Sequence, residues 1–166
     1  TAQGRSLYWA GLNKAKRSLT IDLRRREGRA LVADLIAAPG EGGGILLTNL
    51  QAGGWLSYER LKERRADLVM VQITGNHDGS TARDYTVNSA VGFPLVTGPT
   101  GYAEPVNHVL PAWDGMCGLT AAVGILAAER HRRITGEGQL VRLSLSDIAF
   151  SYVGALGSIG EVEING

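Results

Sequence analysis

One cysteine, Cys117, is the whole of the chain's thiol chemistry. A disulfide framework within the chain is therefore excluded, and the composition fits a reducing compartment, the cytoplasm. An excess of charge of either sign is missing too: 17 Lys and Arg face 16 Asp and Glu, a net of +1. That balance removes any global electrostatic reason to bind nucleic acid or an anionic membrane. Basic triplets do occur, at Lys14, Lys16 and Arg17, at Arg24, Arg25 and Arg26, and at Arg130, Arg132 and Arg133. Their plain reading is a solvated face, although a ligand carrying phosphates would need one of them. The longest apolar run, residues 119–128, is too short and too rich in Gly and Ala to cross a bilayer. The opening TAQGRSLYWAGLNKAKR lacks the apolar core of a signal peptide.

Several motifs are also missing. With no Cys-x-x-Cys or His-x-x-x-His, His108 and Cys117 stand isolated, and no metal site is expected. Gly42-Gly43-Gly44 precedes a strand-like run, whereas a phosphate-binding glycine loop follows one and opens a helix. No Gly-x-Ser-x-Gly nucleophile elbow is present, nor any internal repeat or low-complexity linker.

What is there can build a core. Hydrophobic residues make up 44% of 166 positions, about one domain's worth, and 23 glycines imply many turns and close backbone approaches. The pattern alternates strand and helix. Ser18–Leu23 alternates Leu19, Ile21 and Leu23 as a strand. A helix over Arg25–Ala37, with a stripe of Ala30, Leu31, Leu35 and Ile36, stops at Pro39-Gly40. Ile45–Thr48 reads as a short buried strand, Ser57–Arg65 as a helix capped by Ser57, and Asp67–Ile73 as a second buried strand. Residues 74–108 are loop-rich, with a short helix at Tyr85–Val91. A long helix from Gly115 to Arg133 closes at Gly136, an αL terminator. Gln139–Leu145 is another strand, and Ser146–Leu156 is a helix capped by Ser146 or Asp147. This order predicts an α/β fold with a parallel, Rossmann-like sheet and crossover helices.

Asp114 is the residue that raises a chemical question. It follows Pro111-Ala112-Trp113 and precedes a run carrying Gly115, Gly118, Ala121, Ala122, Gly124, Ala127 and Ala128. As a helix cap, its carboxylate would accept from free first-turn N–H groups and be favoured by the helix dipole. As a reactive group, it would be a nucleophile toward an activated acyl group, with small residues leaving room for the ligand. The small residues equally suit close helix packing. Local sequence leaves both readings open. Arg83-Asp84 has the look of a surface ion pair, and His77-Asp78 lies in a Gly-rich loop expected to be exposed.

Three stretches together resemble one family: NKAKRSLTIDLRRREGRALVADLI, LLTNLQAGGWLSYERLKERRADLVMVQITG and LPAWDGMCGLTAAVGILAAERHRRITGEGQLVRLSLSDIA. The last carries Asp, a small-residue helix, Gly-Ile-Leu-Ala-Ala and Thr-Gly-x-Gly-Gln at fixed spacing. The chain resembles the class III CoA-transferase family. That resemblance implies that Asp114 attacks an acyl-CoA thioester, that CoA is held for a time on its carboxyl, and that CoA is then passed to another carboxylate. LYWAGLNKAKRS, DYTVN and VNHVLPAWD resemble a branch that moves CoA between the two carboxyls of one mesaconyl skeleton. Transfer between separate acids, racemisation of an α-methylacyl-CoA, and a non-catalytic CoA-binding module are the alternatives. Arg83 stands where the racemising branch has a histidine, which argues against that branch. The resemblance further implies CoA contacts at Ile21, Asp22, Leu23 and Arg24, at Asn49, Leu50 and Gln51, and at Thr81, Ala82, Arg83 and Asp84. Arg24 and Arg83 would face the CoA phosphates. No tightly bound cofactor is implied, since CoA enters as part of the substrate. The resemblance also implies that residues 1–166 are one incomplete large domain, and that the full-length form is an interlocked homodimer.

Overall fold

The computed structural model describes residues 4–51 and 53–165. The elements run α1 (Leu7–Leu12), α2 (Arg26–Ala37), β1 (Ile45–Thr48), α3 (Tyr58–Arg64), β2 (Val69–Thr74), α4 (Asp84–Ala90), α5 (Phe93–Val96), α6 (Ala112–Thr135), β3 (Leu140–Ser144), α7 (Leu145–Ala155) and α8 (Ser158–Asn165). The chain forms two compact units, residues 1–32 and 33–166.

In the second unit the three strands form one parallel sheet in the order β1-β2-β3. Parallel neighbours need crossover connections, and α3 and α6 supply them. The α/β reading is borne out, although the sheet holds three strands where four were expected. Ser18–Leu23, expected to be a strand, forms none. Alternation marks which side chains share a face, but a strand also needs a neighbour offering its backbone, and the described sheet gives this segment none.

Val69, Met70 and Val71 in the central strand are completely buried, each contributing about 1.5–3 kcal/mol. Strand alternation sends them to both faces. Leu46, Met70 and Leu140 lie in register and join Leu56, Leu61, Leu68 and Ala33 on one face. On the other face α6 covers the sheet. A Cβ added to Gly124 would lie 3.3 Å from Val141 Cγ1, and Ala121 and Ala128 are buried. The close-packing reading of this helix's small residues therefore holds for its middle.

Cap chemistry sets the ends. Ser57 Oγ accepts from Arg60 N at 3.4 Å, as expected. Gly136 terminates α6 at φ 77°, its N–H donating to Arg132 O at 2.8 Å. For α7 the cap is Ser144, which accepts from Asp147 N at 3.1 Å. The expected caps, Ser146 and Asp147, already lie inside that helix, because β3 runs straight into it. In α2, Leu31 and Leu35 are about half exposed while Ala33 is buried, so the expected stripe is rotated. Helices α1, α5 and α8 are too short or too weakly patterned to have been foreseen. No helix among the described residues is long and apolar enough to cross a membrane.

Candidate active site

In a parallel sheet the carboxyl ends of the strands open onto a crevice, and helix N-termini converge there. This sheet follows that rule. A cleft of about 1080 Å³ opens at the end of β1 (Leu47, Thr48, Asn49, Leu50, Gln51), the end of β2 (Gln72, Ile73, Thr74, Gly75) and the start of α7 (Leu145). Gly79, Ser80, Thr81 and Ala82 form a second wall, and Asp114, Cys117 and Gly118 from the first turns of α6 complete it. Asp114 is the one carboxylate in this lining.

Asp114 is not the helix cap. Pro111 holds that position without a side-chain bond, and Gly115 N donates to Pro111 O at 3.0 Å. Asp114 lies three residues further on, in the first turn. An acid there commonly reaches back to the cap residue's own N–H, closing a capping box. A proline has no N–H to offer. Among the described residues, no donor bonds the Asp114 carboxyl. Partial burial raises its pKa above the ordinary carboxylate range, and the nearby charge of Asp84 adds to the rise.

The first-turn N–H groups are satisfied from elsewhere. Asp84, at the start of α4, is 4% exposed. Its Oδ2 accepts from Trp113 N at 2.7 Å and from Asp114 N at 3.0 Å. Its Oδ1 bonds His108 Nε2 at 2.9 Å. Trp113 is buried beside it, with Nε1 donating to Asn88 Oδ1 at 3.1 Å and its ring stacked on Phe93 at 5.7 Å. The Pro-Ala-Trp run before Asp114, unsuited to a surface loop, thus anchors the start of α6 in the core.

The expected ligand residues divide. Asn49, Leu50, Gln51, Thr81 and Ala82 share the cleft lining with Asp114. Arg83 is exposed at the start of α4 and does not line the cleft, and its guanidinium has no partner among the described residues. Asp84 is turned into the protein. Ile21, Asp22, Leu23 and Arg24 belong to the first unit, where Arg24 Nε and Nη2 meet Asp22 Oδ1 and Oδ2 at 2.9 and 3.0 Å. Burial, reinforced by the charge of Asp114, pushes the Cys117 thiol up and makes it a poor nucleophile. Thr48, Gln72, Thr74 and Ser80 join the cleft without having been anticipated, while Gly118 lines it as its small size suggested. The end of a strand becomes a ligand site only once the strand's neighbours are known. His108, which looked isolated in sequence, pairs with a residue 24 positions away.

Comparison with known proteins bears on this geometry. The family model described as CoA-transferase family III matches residues 1–157. The chain is 56% identical over 160 residues to 2-methylfumaryl-CoA isomerase from Chloroflexus aurantiacus, covering 96% of this chain and 39% of that protein. It is 31% identical over 161 residues to succinate–glutarate CoA-transferase from Agrobacterium fabrum, covering 89% of this chain and 39% of the relative. A crystal structure of a CaiB/BaiF family protein from Brucella suis superimposes with a TM-score of 0.81 at 28% identity, covering 93% of this chain and 42% of the other. The chain thus spans about 40% of the length of the relatives it matches.

Proposed function

The chain belongs to CoA-transferase family III, and from that premise we propose that its cleft receives the acyl-CoA thioester of a short dicarboxylic acid, with Asp114 as the nucleophile. The observation that carries this reading is the position of Asp114. Among the described residues it is the single carboxylate lining the cleft, at a helix N-terminus, with no donor holding its oxygens. A carboxylate so placed is free to attack a carbonyl.

In the proposed reaction an Asp114 oxygen adds to the thioester carbonyl. The C–S bond breaks, CoA leaves as its thiolate, and a mixed anhydride joins Asp114 to the acyl group. The thiolate then attacks the Asp114 carbonyl carbon, releases the acyl group as a carboxylate and leaves CoA on Asp114 as a thioester. A carboxylate of the acceptor repeats the exchange in reverse. Each thioester replaces another, so the overall step is close to balanced. The protein's task is to hold the partners close and keep water from the anhydride. Gly118, one turn past Asp114, meets nothing within 4 Å of its would-be Cβ, which leaves room beside the nucleophile. No separate cofactor enters, because CoA arrives with the substrate.

Intramolecular transfer between the two carboxyls of mesaconate is the favoured form, supported by the 56% identity to 2-methylfumaryl-CoA isomerase. Incubating the complete polypeptide with mesaconyl-CoA, trapping with hydroxylamine or borohydride and mapping peptides tests the nucleophile. The adduct is expected on Asp114, and an adduct elsewhere, or none, sinks the reading. Labelled free mesaconate separates the two transfer modes, since intramolecular transfer leaves the label out of the thioester product. Solvent deuterium at the α-carbon would mark a racemase instead.

The remaining assignments rest on the resemblance. Ile21, Asp22, Leu23, Arg24, Asn49, Leu50, Gln51, Thr81, Ala82 and Arg83 are proposed to contact CoA, with Arg24 and Arg83 toward its phosphates. A rise in KM for acyl-CoA in Arg83→Ala would support this. The complete polypeptide is proposed to work as a cytoplasmic homodimer, and mass in solution by light scattering tests the pairing. Leu119, Val123 and Leu126, 72%, 65% and 68% exposed along α6, suit such a contact.

A further inference from the structure

Asp84 joins elements far apart in sequence at the point where the proposed chemistry happens. Two of the orphan N–H groups of α6, those of Trp113 and Asp114, both end on Asp84 Oδ2, at 2.7 and 3.0 Å. The other oxygen, Oδ1, is taken by His108 Nε2 at 2.9 Å. A carboxylate only accepts, so His108 carries its proton on Nε2 and presents it to Asp84. The Asp84 side chain is 4% exposed, and that of His108 is 24% exposed. Tyr85 closes on the His108 ring edge-on at 5.7 Å. Pro111, as the cap residue, withholds the one backbone donor that a first-turn acid would otherwise fold back to meet. The backbone donors of the turn that carries Asp114 are thereby occupied or absent.

We propose that Asp84 is a positioning residue for Asp114: its buried carboxylate, itself oriented by His108, engages the two N–H groups of the nucleophile's own turn and so keeps the Asp114 carboxylate unbonded and directed into the cleft. This rests on the reading of Asp114 as nucleophile. It differs from the ligand role that the resemblance suggested for Asp84, because that carboxylate is buried at 4% exposure and already accepts from two backbone N–H groups and a histidine. A second consequence follows from its charge. A fixed negative group behind Asp114 makes the nucleophile more basic, hence more reactive once ionised. The titratable groups around Asp114 are Asp84 from α4, His108 behind it and Cys117 in the next turn of α6. The rest of the cleft lining has no ionisable side chain.

Two substitutions in the complete polypeptide separate geometry from charge. In Asp84→Asn the amide oxygen can still accept both N–H groups, and the amide nitrogen can donate to the other tautomer of His108. The cradle survives and the charge is lost. In Asp84→Ala both go. Formation of the Asp114 adduct from mesaconyl-CoA is measured in single turnovers, with steady-state kcat and KM alongside across pH. Asp84→Ala is expected to lower kcat about 100-fold or more with KM changed less than about threefold. Asp84→Asn should recover at least tenfold of that loss, with the acid limb of kcat moved to lower pH. A loss confined to KM, or an Asp84→Asn acid limb that does not move, overturns the proposal. If Asp84→Ala does not fold, the Asp84→Asn acid limb decides alone. Should wild-type protein form no adduct on Asp114, the nucleophile reading fails first. An intact wild-type adduct with unaltered Asp84→Ala kinetics removes the positioning role only.

Discussion

The two ends of α6 treat charge in opposite ways. At the C-terminal end, Arg132 is 9% exposed and surrounded by acceptors: Gly43 O at 2.8 Å, Gly44 O and Asp67 O at 3.4 Å, and the Asp67 carboxylate at 3.6 Å. Arg65 adds a bond to Asp67 Oδ1 at 2.8 Å and another to Ala38 O. Gly43 and Gly44 leave room for this cluster, since a Cβ on either would fall 2.9 Å from Arg65 Nη1 or 2.1 Å from Arg65 Nε. At the N-terminal end, Asp114 faces an open cleft with its oxygens unbonded. Buried charge is tolerated where it is saturated with partners. A charge left unsaturated at a crevice is the one available for chemistry. One helix thus carries a structural ion at one end and, on the proposed reading, a reactive one at the other.

The largest expected break in this comparison is Asp114→Asn. It should abolish CoA transfer by at least about 10³-fold while leaving the fold intact, as judged by circular dichroism. Arg132→Ala should do the reverse. It strips donors from three carbonyls and should cost about 3 kcal/mol of stability in urea melts, with any folded fraction retaining Asp114 chemistry.

Glycines sharpen the contrast. A Cβ at Gly138, just past the C-terminal end, would lie 2.0 Å from Leu68 O, so Gly138→Ala should destabilise by about 1–3 kcal/mol. At Gly118 there is open space, and Gly118→Ala should leave the melting temperature unchanged and act on KM for acyl-CoA.

Acid provides the smallest and most discriminating test. The Asp67 pKa is lowered, chiefly by its bond to Arg65, so its stabilisation is present above the unfolded carboxylate value and lost as pH falls through the lowered one. The Asp114 pKa is raised, by burial first and Asp84 second, so its ionisation weighs against folding as pH climbs through the raised value. Asp114→Asn should therefore raise the melting temperature slightly at neutral pH, a gain that vanishes below the ordinary carboxylate range. Asp67→Asn should lower it at neutral pH. Transfer activity should fall on acidification at a pH above the ordinary carboxylate range, because the nucleophile must be ionised.

Periodicity made much of this architecture legible. The runs ILLT and VMVQIT are strands, Ser57 and Gly136 cap as their chemistry requires, and α6 lies where its small residues placed it. Ser18–Leu23 misled because alternation describes a face and not a pairing. Asp114 stood out from its neighbours alone, but its choice between cap and nucleophile did not. Both needed the same acid at the same helix end. Asp84 was misjudged as part of a surface ion pair because nothing local says that it faces inward.

By itself, then, the sequence determined the types of most elements, the caps at Ser57 and Gly136, the absence of a disulfide within the chain and the family pattern around Asp114. Each of these depends on residues within a few positions of one another, where backbone geometry and side-chain spacing act directly. Tertiary structure alone decided that two strand ends and the starts of α6 and α7 share a cleft, and that Asp84 and His108 secure the turn that carries Asp114. The Asp84 bonds join residues 24 to 30 positions apart, and the cleft joins Leu47 to Leu145. Hydrogen bonds and burial recognise distance in space, and only the packed sheet converts the one kind of separation into the other.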